Sequence, residues 1–152
     1  MTMEKTFLSI GLVQRTHNGR TQWLLDESQE ALRFIVGHRL EKESFRETVI
    51  REVAWQLDLD RKKDFIVSNI AQISVEFVEA KPHEFHEEHI ALAFYNVYLS
   101  KRNVITRLNE DPSKTWVSAA EICAGTASNG RRIQSDVVGW INKYEVVRPW
   151  QV

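Results

Sequence analysis

The stretch Gly37–Leu59, GHRLEKESFRETVIREVAWQLDL, decides how this chain is read. Ser44 and Glu47 have the S-x-x-E spacing of a capping box, in which each side chain satisfies the other residue's backbone N–H, so a helix starts there. Phe45, Val49, Val53 and Leu57 recur every four residues, and a helix through Leu57 gathers them into one apolar stripe. Positions i, i+3 and i+4 of a helix share a face, which puts Glu52, Trp55 and Gln56 together on the other side. That face carries one carboxylate, one indole and one amide. Ahead of the helix, Gly37 opens a polar loop that holds His38, Arg39, Lys42 and Glu43.

The segment resembles the Nudix box: a glycine, five residues, a glutamate, seven residues, then Arg-Glu-U-x-Glu-Glu-x-Gly-U with U aliphatic. Gly37, Glu43, Arg51, Glu52, Val53 and Leu59 fall at its positions, whereas Trp55 and Gln56 replace the Glu-Glu pair and Asp58 the second glycine. Ile35, Val36 and Lys42 stand where a proline and two glycines often occur, which predicts a loop remodelled or less tightly wrapped. The resemblance implies an α/β fold, a Nudix-like α/β/α sandwich with a mixed β-sheet. It also implies Mg²⁺- or Mn²⁺-dependent hydrolysis of a nucleoside diphosphate linked to another group. Gly37, Glu43 and Arg51 would hold the loop against the helix. Glu52 would be the catalytic and metal-binding carboxylate, and Glu87 or Glu88 could add a second ligand from a facing loop or strand.

The missing carboxylates bear directly on that chemistry. A diphosphate repels hydroxide, and divalent cations overcome this only where several hard oxygen ligands converge. An amide oxygen coordinates without adding charge, and an indole nitrogen only donates. Mg²⁺ can be held by one or two carboxylates when ligand phosphates complete its shell. The expectation is therefore weak metal binding and weak or absent hydrolase activity. The alternative is a non-catalytic module that binds a nucleotide-type ligand or a protein partner. Because Nudix proteins often pair, a homodimer is a third reading. In the pocket, Trp55 is expected to be a plug or a core residue ahead of a stacking platform, with Gln56 beside it and Arg39 greeting an anionic ligand.

Working outward, Lys5–Thr16 alternates and is rich in β-branched residues, His17–Arg20 carries an Asn-Gly turn, and TQWLLDES reads as a second strand: a hairpin. Ala31–Val36 is a short apolar run. Phe65–Glu79 and His89–Leu99 read as strands, a loop with Pro112 precedes WVSAAEI, and Ser135–Tyr144 reads as a helix with Val137, Val138 and Ile141 inward. No repeat or linker divides the chain, so residues 1–152 form one expected domain.

At 43% hydrophobic and 27% charged, with a net charge of −1, the composition is that of an ordinary globular protein and advertises no attraction to nucleic acid or membrane. The longest apolar stretch, Ile90–Leu99, is far too short to span a bilayer, and the N-terminus lacks a convincing signal-peptide pattern. A single cysteine, Cys123, fits a reducing compartment and small core filler, so the expected location is cytoplasmic. KPHEFHEEH, Lys81–His89, concentrates histidines and glutamates but matches no zinc spacing, and reads as an exposed polar loop. Trp23, Trp116, Trp140 and Trp150 read as packing residues.

Overall fold

The long first strand, β1 (Glu4–His17), organises the chain, because it is long enough to take different partners at its two ends. Its last residues pair antiparallel with β2 (Arg20–Glu27) through a turn in which Asn18 and Gly19 both have positive φ, as an Asn-Gly hairpin requires. Leu8–Gly11 instead pair antiparallel with β4 (Ile35–His38). On its other side β1 runs parallel to β7 (His86–Leu99), which makes the sheet mixed. β5 (Phe65–Val67) and β6 (Ile73–Lys81) pair antiparallel with successive parts of β7, while β3 (Leu32–Arg33) and β8 (Lys114–Val117) pair with β2. The computed structural model describes residues 4–81 and 86–152.

Alternation along the strands sends side chains to two cores. Leu8, Ile10 and Leu12 of β1 and Ile90, Leu92 and Phe94 of β7 pack beneath α3 (Ala119–Ala124) and α4 (Ser135–Lys143). Val13, Ile35 and Val97 face the opposite way, toward Val49, Val53 and Leu57 of α1 (Phe45–Leu57) and Val104 and Leu108 of α2 (Arg102–Glu110). Helices thus cover both faces, the α/β/α sandwich with a mixed sheet that the sequence implied. Arg46 fastens α1 to β5 by donating to the carbonyls of Val67 (2.9 Å) and Ser68 (3.1 Å). Among the described residues, no helix is long and apolar enough to cross a membrane.

The structure departs from the sequence reading at several elements. The single strand expected over Phe65–Glu79 is two strands; the chain steps out between them, with Ser68 N–H donating to the Asn96 carbonyl and Gln72 N–H to that of Phe94. The apolar run Ala31–Val36 is likewise broken at Phe34, where the chain passes from a β2 neighbour to a β1 neighbour. Helix α2 went unforeseen, since no side chain caps it and only Val104 and Leu108 of it are buried. The polar segment Lys81–His89 is not all loop: β6 ends at Lys81 and β7 begins at His86, while residues 82–85, with His83 and Glu84, lie outside the described residues. Of the tryptophans, Trp23 and Trp140 are buried and Trp116 half-buried as expected, but Trp150 is 70% exposed. Cys123 packs partly buried against the α3–α4 core, and burial raises its thiol pKa.

Candidate functional site

The loop ahead of α1 is fixed by Glu43. Its carboxylate accepts from Arg51 Nε (2.9 Å) and Nη2 (3.0 Å), from Thr48 Oγ1 (2.6 Å) and from the Leu40 backbone N–H (3.2 Å). The Arg51 hydrogen bonds are the main reason its pKa falls from 4.5 to about 2. Arg51 Nη2 also donates to the His38 carbonyl at 2.9 Å, so one guanidinium holds both ends of the loop. Gly37 faces the helix directly. A Cβ built there would stand 2.5 Å from Glu52 Cγ and 2.9 Å from Thr48 Cγ2, so only glycine lets β4 approach α1 this closely. Lys42 (φ 66°) and Asp58 (φ 53°) both hold the left-handed conformation, the second of them as the C-cap of α1.

Beyond this scaffold, Glu52, Trp55 and Gln56 share one face of α1, as the helical spacing predicts, and border a hollow of about 380 Å³. The hollow also contains Asp26 and Glu27 from the end of β2, Arg33 from β3 and Phe34. Both oxygens of Glu52 are engaged: Oε1 accepts from Arg51 Nη1 and Oε2 from Gln56 Nε2, each at 2.7 Å. Gln56 adds no charge to this face, and its amide caps the Glu52 carboxylate. Trp55 is 81% exposed, so its indole is neither core nor plug. The helix has kept the register set by its own apolar stripe, and the ring stands at the lip of the hollow.

The other sequence candidates lie elsewhere. Glu88 is 9% exposed and accepts from Thr6 Oγ1; its strand neighbours Ile90 and Leu92 belong to the core beneath α4, on the sheet face opposite α1. It lines a separate hollow with Thr6 and Trp140, which meets the Glu52 hollow only at Arg33 and Val36. Glu87 is exposed, on the other side of the strand. Arg39 is not in the Glu52 hollow; its guanidinium lies over the rings of Phe7 (4.1 Å) and Phe45 (5.1 Å). No group of three or more His, Cys, Asp or Glu side chains among the described residues is arranged to hold a metal ion. This donor set fits Mg²⁺ or Mn²⁺ poorly.

Three charged residues of the hollow were not foreseen: Asp26, Glu27 and Arg33. Two of them have partners. Asp26 Oδ1 accepts from Lys114 Nζ at 2.9 Å, and Glu27 lies 3.3 Å from Arg131 Nε. Arg33 has no ion-pair partner among the described residues. The sequence offered one signal, a basic residue inside an otherwise apolar run just upstream of Gly37.

No family model matches the chain, and none of the curated proteins does. Solved structures do match. The chain is similar to a Nudix hydrolase from M. smegmatis, RenU (11% identity, TM-score 0.56, covering 95% of this chain and 88% of that one). It is similar to an Ap4A hydrolase from C. elegans (9% identity, TM-score 0.54, covering 95% and 97%). It is also similar to Shewanella oneidensis NrtR complexed with a 27mer DNA (11% identity, TM-score 0.57, covering 90% and 59%). At these identities the likeness speaks for the fold, and the chain has the fold of Nudix hydrolases. A fold of this kind does not by itself assign an activity.

Proposed function

We propose that this chain is a Nudix-fold binding domain for a small molecule of the nucleoside-diphosphate type, with weak or no diphosphohydrolase activity. One observation carries the reading: the carboxylate at the metal-binding position, Glu52, is held through both oxygens by Arg51 and Gln56, while Trp55 stands open beside it. A cation would have to displace a charge-assisted bond and an amide bond to reach Glu52, with no second carboxylate of α1 to compensate. Glu88, the second ligand considered from the sequence, approaches from the other face of the sheet. An exposed indole, in contrast, suits a planar ring, and base stacking on an aromatic side chain contributes on the order of 1–3 kcal/mol. Arg33 supplies positive charge at the same hollow. A net charge of −1 gives no reason to propose a nucleic-acid partner.

Calorimetry with Mg²⁺ or Mn²⁺, alone and with ADP-ribose, nucleotide sugars and dinucleoside polyphosphates, tests this. The expected result is feeble metal binding by the free protein, detectable binding of at least one nucleotide, and weakening of that binding by about tenfold in Trp55→Ala. Rapid hydrolysis abolished by Glu52→Gln would replace the binding reading with a residual enzyme. A tight metal site in the free protein would do the same.

A further inference from the structure

We propose a second anion site in this protein, between β3 and the start of α4, in which Arg33 and Arg132 together take a phosphate-type group of a small molecule. The segment before α4 docks beside β3 as a short parallel bridge between Leu32 and Ile133. Leu32 N–H donates to the Arg132 carbonyl, and Gln134 N–H to that of Leu32, both at 2.9 Å. Leu32 and Ile133 are buried. Side chains alternate along extended chain, so the flanking residues Arg33, Arg132 and Gln134 turn the other way and share one outward side. There they line a hollow of about 520 Å³ with Ser135 and Asp136.

The hollow carries two arginines and two carboxylates, Glu30 and Asp136, but the arginines are not taken up by the fold. Arg131, next in sequence, is used by the fold: it donates to the Ser28 carbonyl and pairs with Glu27. Arg33 and Arg132 are exposed, and neither makes an ion pair among the described residues. Two like charges on neighbouring strands of one face repel each other, and an anion between them removes the repulsion. Two carboxylates border the hollow, Glu30 and Asp136, but neither pairs with an arginine; Oδ1 of Asp136 accepts the Val137 N–H instead. No side chain caps the start of α4, because Gln134 Oε1 accepts from the Phe34 N–H, and this helix end adds a field favourable to negative charge. Guanidinium groups bind phosphate oxygens through paired N–H donors, and two of them on one side suit a pyrophosphate or terminal phosphate. Arg33 also borders the Trp55 hollow. A ligand with its ring on Trp55 could therefore extend its anionic end to Arg132; that extension rests on the proposed function, whereas the anion site does not.

Titration of the full chain with pyrophosphate alone, followed by backbone amide shifts at low and high salt, tests the site. Expected are salt-sensitive shifts centred on Gln134 and Ser135, affinity weakened by about tenfold in Arg132→Ala and in Arg33→Ala, and partial retention in Arg132→Lys. Trp55→Ala should leave pyrophosphate binding unchanged. Both arginines are exposed, so unaltered melting temperatures should accompany these losses. Absence of shifts at this hollow, or shifts indifferent to both arginines, overturns the proposal. Pyrophosphate binding here with no nucleotide binding anywhere would keep this site and remove the proposed function, while nucleotide binding that needs Trp55 but neither arginine would do the reverse.

Discussion

The two halves of the Gly37–Leu59 segment have fared differently. The half that joins loop to helix is complete: Gly37 in a contact only glycine can make, Glu43 with four donors, Arg51 spanning from Glu43 to the His38 carbonyl. The half that would gather metal ions has one carboxylate, and that one is occupied by neighbours from its own helix. Packing constraints act on folding, whereas carboxylates clustered on one helix face repel each other and a bound cation offsets the repulsion. Gln56 meets Glu52 with a hydrogen bond where a second carboxylate would repel it. The contrast implies that the first half bears on stability and the second on ligand choice, and substitutions in each half can break or sharpen it.

The largest effect is expected at Gly37. A methyl group there meets Glu52 Cγ and Thr48 Cγ2, and Thr48 is buried and tied to Glu43, so α1 must shift outward. Gly37→Ala should destabilise the protein by about 2–3 kcal/mol, as overpacking does, measured by urea unfolding. An unchanged midpoint would mean that the helix yields freely, and the first half of the segment would lose its distinction from the second.

Glu43 comes next. Glu43→Gln keeps the shape but removes the charge that Arg51 and Thr48 bind, at a cost of about 1.5–3 kcal/mol for hydrogen bonds to a charged group. The pH dependence has a definite sign. The folded-state pKa, about 2, lies below the 4.5 of an unperturbed glutamate, so the stabilisation is complete above 4.5 and is lost as pH falls from there toward 2. The stability difference between the parent and Glu43→Gln should therefore shrink over that window. A difference that stays constant down to pH 2 would show that the carboxylate charge is not what Arg51 uses.

How far the sequence itself disclosed this contrast depends on the range of the interactions. The capping box, the apolar stripe and the spacing of Gly37, Glu43 and Arg51 are local: Ser44 and Glu47 close the box, Val49, Val53 and Leu57 are buried with Phe45 half-buried, and Arg51 bonds Glu43. The face of Glu52, Trp55 and Gln56 was equally local; expecting Trp55 to be core or plug set aside a helical register that already placed it opposite Val49 and Val53. The rest of the hollow could not be read this way. Asp26, Glu27 and Arg33 reach it through strand pairings, and Arg132 meets β3 across about a hundred residues of chain, as the Leu32–Ile133 bridge records. No spacing in the sequence encodes those distances. Glu88 shows the same limit in reverse: its sequence position allowed it to face α1, and the alternation of β7 sent it to the other side.

A smaller change in stability is expected from Trp55→Glu combined with Gln56→Glu. Trp55 is exposed and Gln56 half-buried, so the double variant should fold with a loss under about 1 kcal/mol, from like-charge repulsion on α1 and the lost bond to Glu52. It should bind Mn²⁺ more tightly than the parent, because three carboxylates then share a face and a cation offsets their repulsion. Gain of diphosphohydrolase activity would mean that only ligands had been lost from the second half. A folded variant that binds no more Mn²⁺ than the parent would show that the surroundings, with Arg51 held against Glu52, have changed as well.

The smallest effects concern the positions where the two halves meet non-glycine turns. Lys42 and Asp58 hold φ of 66° and 53°, a conformation that costs most side chains roughly 1–2 kcal/mol, because Cβ crowds the following carbonyl. Glycine removes that crowding but adds freedom to the unfolded chain, so the net gain should be about 0.5–1 kcal/mol. Lys42→Gly should gain more than Asp58→Gly, since the short polar side chain of aspartate tolerates the left-handed region better than lysine does. Neither substitution touches the hollow at Trp55, and ligand affinity should not change with either. Thermal unfolding of the two variants reads the order. If Lys42→Gly lowers the melting temperature instead, the loop is not strained at that residue, and the lysine side chain holds it by a contact worth more than the crowding it brings.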